Sequence, residues 1–127
     1  MRVFLRLALL VMAAMPAACA SVLLQAGAVQ VSVQPEGVWT VSFTILNRGD
    51  HSAKQVKISE VSVHGANMLT RLPLEVGEVP ADGAETRRIQ LGVHRTGRQT
   101  FELSIEGIFV EAGRPHSFSL RYMLANF

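Results

Sequence analysis

Apolar and polar side chains alternate strictly through most of this chain, and that alternation limits the fold more than any other feature. Val29, Val31 and Val33 alternate with Gln30, Ser32 and Gln34, and Trp39, Val41, Phe43 and Ile45 alternate with Thr40, Ser42 and Thr44. The pattern returns at residues 89–93, 101–109 and 118–124. Successive side chains of a strand point to opposite faces, so a period of two places one face in a core and the other in water. No segment shows the 3.6-residue period of an amphipathic helix. Turn residues separate the strands: Pro35, Glu36 and Gly37; Asn47 to Asp50; residues 80–83; Thr96, Gly97 and Arg98; and Ala112 to Pro115. Gly49 and Gly83 are expected to supply left-handed backbone in their turns.

Two segments break the rhythm. Val56 and Ile58 share one phase and Val61 and Val63 the other, so the phase slips by one residue near Ser59 and Glu60. A slip of one flips every later side chain, which predicts a β-bulge there or a strand that changes sheets. After a turn at residues 65–67, Leu69, Leu72, Leu74 and Val76 form a proline-interrupted segment that reads as an edge strand. The count is seven or eight strands. The expected fold class is all-β, a two-sheet antiparallel immunoglobulin-like sandwich. An eight-stranded membrane barrel is the rival, but it needs aromatic girdles outside an apolar band, and most aromatic residues here fall on the core phase.

The first 20 residues belong to something else. Arg2 and Arg6 precede an apolar run over residues 7–15, and Ala18, Cys19 and Ala20 make an A-x-A cleavage site. The expected division is a signal peptide at 1–20 and one sandwich domain at 21–127, with a periplasmic or secreted location. Cys19 offers an alternative: cleavage just before it would leave a lipidated cysteine, although Pro16 stands where a lipobox has Leu or a similar residue. An uncleaved leader is a third reading, yet its apolar run is short of the about 20 residues a membrane span needs.

Cleavage changes the composition. The chain has 12 basic and 10 acidic residues, and Arg2 and Arg6 leave with the leader, so 10 of each remain. A neutral domain offers no basic excess to nucleic acid. Cys19 is the only cysteine, and cleavage after Ala20 removes it. Neither a disulfide nor thiol chemistry is then expected.

The chain resembles the cell-adhesion-related domain of bacteria, an immunoglobulin-like module. The likeness lies in the aromatic-led strand running into Asn-x-Gly at residues 39–49 with Ala53 and Val56 after it, in the Pro-x-x-Gly turn at 80–83, and in Gly97 with the aromatic strand that follows to Ile105. The family often ends its penultimate strand on an acidic residue, whereas Glu106 here is followed by Gly107. The resemblance implies a sandwich with a non-catalytic extracytoplasmic role. It names no ligand.

No residue pattern of a catalytic site stands out. A nucleophile needs a base and an orienting group beside it, but the serines mostly occupy the outward phase of strands. Phosphate loops and common metal motifs are absent. With strand connections alternating between the two ends, His51 and His116 are expected at one end, near Asp50 and Glu111, and His64 and His94 at the other. His64, Met68 and His94 form a candidate copper set, since imidazole and thioether suit a soft metal. Arg87, Arg88, His94, Arg95 and Arg98 are the densest basic cluster, either a solvated surface or a seat for an anionic one. Trp39 is read as core, and Phe127 as a plug or anchor past the last strand. The expected function is a non-enzymatic extracytoplasmic interaction module without a cofactor. Its partner would be a protein or envelope component, held through end loops bearing Arg48, Asp50 and Arg114 or through the edge at 69–79. A periplasmic copper-binding protein is the alternative.

Overall fold

The structure, a computed structural model, describes residues 21–93 and 100–125. Eight strands lie among the described residues: β1 (Leu24–Val33), β2 (Val38–Asn47), β3 (Ala53–Val63), β4 (Ala66–Met68), β5 (Leu74–Val79), β6 (Ala84–Val93), β7 (Thr100–Glu111) and β8 (Arg114–Ala125). They form two four-stranded sheets, in the orders β1-β2-β6-β4 and β5-β3-β7-β8. Every pairing is antiparallel. The expected open sandwich is what forms, rather than a closed barrel. A single 3-10 turn, Pro35–Gly37, joins β1 to β2.

The alternation in the sequence becomes the core directly. Along β2, Trp39, Val41, Phe43, Ile45 and Asn47 are buried while the residues between them are not. Ile89 and Leu91 of β6 lie beside them, and Phe101, Leu103, Ile105, Leu120, Tyr122 and Leu124 face them from the second sheet. Trp39 meets Phe101 edge-on, with ring centroids 5.2 Å apart at 90°. That is one of the arrangements aromatic quadrupoles favour. Each fully buried Leu, Ile or Phe contributes roughly 1.5–3 kcal/mol. This core is the chief stabilising element of a domain with no cysteine among its described residues.

β3 keeps its apolar residues inward by absorbing two extra residues. Ala53, Val56, Ile58, Val61 and Val63 all belong to the core or pack against it. The register against β7 shifts between Lys54 and Lys57 and again between Ile58 and Glu60. The second shift is the bulge expected at Ser59; the strand stays in one sheet throughout. The first centres on Gln55, whose φ is 52°.

The edge strand expected at 69–79 forms in its second half as β5, and a short strand not expected precedes the segment. The chain turns at His64 and Gly65, runs three residues as β4 on the edge of the first sheet, and returns across residues 69–73 to become β5 on the edge of the second. The Leu72–Pro73 bond in this crossing is cis. Such a short strand leaves its Ala66–Met68 stretch too little alternation to recognise.

Candidate functional site

One end of the sandwich gathers the β2–β3 loop, the β5–β6 turn, the β7–β8 turn and residues 21–23 ahead of β1. Asn47 holds the β2–β3 loop, the end of β5 with the turn after it, and residues 21–23 together. It follows Ile45 on the inward phase of β2 and is 1% exposed. Its Nδ2 donates to the His51 carbonyl at 2.8 Å and the Val79 carbonyl at 3.1 Å. Its Oδ1 accepts from the Gly49 amide at 3.0 Å and the Leu23 amide at 3.2 Å. An amide side chain has two donor hydrogens and an oxygen with two lone pairs, so this buried group is fully satisfied.

Neighbouring backbone bonds extend the network. The Asn47 amide donates to Gly83 O at 2.9 Å, Arg48 to Leu23 O at 2.8 Å and Asp82 to Gly49 O at 3.2 Å. Gly49 is required by close approach, not by the left-handed backbone expected of it: an added Cβ would sit 2.0 Å from the Ser21 carbonyl oxygen. In the 80–83 turn the left-handed residue is Asp82, with φ 55°.

Charged groups stand on this fixed platform. Arg48, Asp50 and Arg114 are all exposed at the same end. Asp50 is engaged, its Oδ1 accepting from the Ser21 nitrogen at 2.9 Å. Among the described residues neither Arg48 nor Arg114 forms an ion pair. His51 Nδ1 lies 3.1 Å from Glu111 Oε2, tying the β2–β3 loop to the β7–β8 turn. His116 stacks on Phe109 at 5.3 Å rather than turning toward His51. A shallow cleft of about 290 Å³ runs between Asn47–Arg48 and Asp82–Gly83.

The other end carries His64 and Met68 of the candidate copper set. His64 is exposed in the β3–β4 turn, and Met68 is half-buried against the core. His94 lies outside the described residues, as do Arg95, Arg98, Phe127 and Cys19. Among the described residues no three His, Cys, Asp or Glu side chains are grouped as metal ligands. The basic cluster divides at its first pair. Arg88 faces outward on β6 beside a shallow groove with Thr40 and Gln90, whereas Arg87 takes the opposite phase and donates to Glu85 and to the Val76 carbonyl on the β5 edge. That contact occupies part of the edge expected to be free at 69–79.

Asn47 as a structural hub was not among the candidate residues. The signal was present, because it is a polar residue on the core phase of β2. The part played by residues 21–23 had no such signal.

No protein-family model matches the chain. No curated protein matches it by sequence. Among solved structures it is similar to the GAE domain of GGA2p from Saccharomyces cerevisiae, at 8% identity and a TM-score of 0.53, covering 84% of this chain and 100% of that one. It is also similar to a GH20 exo-β-N-acetylglucosaminidase from Vibrio harveyi, at 16% identity and a TM-score of 0.49, covering 76% of this chain but only 17% of the enzyme. At 8% identity the likeness to the GAE domain concerns the fold alone: an immunoglobulin-like β-sandwich.

Proposed function

We propose that this chain is a non-enzymatic, extracytoplasmic interaction module that docks a protein or envelope component through the loop end bearing Arg48, Asp50 and Arg114. The observation that carries the reading is the Asn47 hub. Loops on a rigid scaffold are where binding residues concentrate. A loop cluster already ordered before contact loses less conformational freedom on binding. Arg48 on that platform and Arg114 at the start of the neighbouring β8 form no ion pair among the described residues, and such guanidinium groups suit carboxylates on a partner. The extracytoplasmic location rests on the leader at 1–20, with release after Ala20 favoured over lipidation at Cys19. The finer kinship with bacterial adhesion-related modules rests on residues 39–49, 80–83 and 97–105.

Affinity capture from the native envelope tests the reading, with wild type compared against the double variant R48E/R114E. We expect one saturable partner that the double variant binds at least tenfold more weakly, at unchanged thermal stability. Equal capture by both proteins would remove the loop end from the interaction.

A further inference from the structure

We propose that Ser21 is the processed N-terminus and that the Asp50 carboxylate is the seat of its α-ammonium group, so that removal of the leader completes the loop end. The inference rests on the leader reading but not on any docking partner. Past Leu24, which pairs with Asn47, the chain continues along the β2–β3 loop instead of leaving the domain. Arg48 N donates to Leu23 O at 2.8 Å, and Asp50 N donates to Ser21 O at 3.0 Å. Ser21 N completes the ring by donating to Asp50 Oδ1 at 2.9 Å. Gly49 lies beneath this strap, where any Cβ would strike the Ser21 carbonyl oxygen. The backbone therefore engages the domain at the first residue after the A-x-A site.

Cleavage there changes the chemistry of one atom. Before hydrolysis, Ser21 N is a neutral amide with one hydrogen to donate. Hydrolysis of the Ala20–Ser21 bond adds water across it, giving a carboxylate on Ala20 and an amine on Ser21 that is an ammonium at neutral pH. The nitrogen then has three donors and a positive charge beside a carboxylate, and charge-assisted hydrogen bonds are the stronger kind. Leu23 binds Asn47 Oδ1, so the ion pair steadies the same hub that orders Arg48. Asp50 is thereby assigned an internal partner, while Arg48 and Arg114 form no ion pair among the described residues.

The test uses protein exported from the full-length chain. Intact mass is expected to give Ser21 as the first residue. Hydrogen exchange at the Leu23 and Arg48 amides is then compared with D50N, which keeps an acceptor but loses the charge. An exposed ion pair predicts exchange roughly two- to five-fold faster in the variant. A second background inserts one alanine between Ala20 and Ser21, moving the ammonium one residue away, and there D50N is expected to change nothing. A terminus other than Ser21, a lipid on Cys19, equal exchange in wild type and D50N, or an undiminished D50N effect in the insertion background would each overturn the proposal. Failure to find a docking partner would leave it standing.

Discussion

Asn47→Ala removes four hydrogen bonds from a buried site and leaves two amides and two carbonyls without their partner. A buried polar group left unpaired costs about 1–3 kcal/mol, so this substitution is expected to destabilise the domain by at least about 3 kcal/mol, measured by urea unfolding. Asn47→Asp should fare no better, since it replaces two donors with an acceptor facing two carbonyls. Tyr122 gives a prediction in pH. Its hydroxyl donates to Thr44 O at 2.7 Å, and burial pushes its ionisation well above the ordinary tyrosine value of 10.0. The folded state then holds a proton that the unfolded chain releases above about pH 10. Stability is flat below that pH with respect to this group and falls above it, by up to about 1.4 kcal/mol per pH unit. Alkaline unfolding curves of wild type and Tyr122→Phe check this: the variant is expected to lose about 1 kcal/mol at neutral pH and to show a shallower alkaline decline.

At the scale of elements, β3 and β7 contrast an irregular strand with a regular one. Ser59 is the extra residue between Ile58, opposite Gly107, and Glu60, opposite Glu106. Deleting Ser59 should leave Val61 and Val63 facing the core and change stability by only about 1 kcal/mol. Deleting Ser104 from the unbulged β7 flips one half of that strand and should abolish cooperative unfolding. Chemical denaturation of the two deletions distinguishes them. Gly107 adds a constraint between strands: a Cβ there would meet the Lys57 carbonyl oxygen at 2.0 Å and the Phe118 ring at 2.8 Å. Gly107→Ala is expected to cost about 1–3 kcal/mol or more through overpacking, read as a lowered denaturation midpoint. The bulge at Ser59 was legible because Val61 and Val63 change phase. The bulge at Gln55 was not, because the only core residue before it is Ala53, whose small side chain carries little phase information.

For the whole molecule, docking is expected to depend on Arg48 and Arg114 and to weaken as salt rises, because exposed charges are screened over about 8–10 Å at physiological ionic strength. Titration of the captured partner at two salt concentrations checks this. The sequence by itself determined the fold class, the core faces of β2, β6, β7 and β8, and the ends of the sandwich at which His51 and His64 lie. Those properties follow from a period of two and from turn chemistry, both local along the chain. Tertiary structure alone decided which distant pieces meet. Asn47 contacts Leu23, 24 residues away, and Val79, 32 residues away. Arg87 finds the Val76 carbonyl on the edge of the other sheet. The chain at 66–79 reads as a turn and one edge but supplies an edge strand to each sheet, β4 and β5. Such pairings come from closing two sheets over one core, and no local pattern encodes the partner a buried amide will find across that closure.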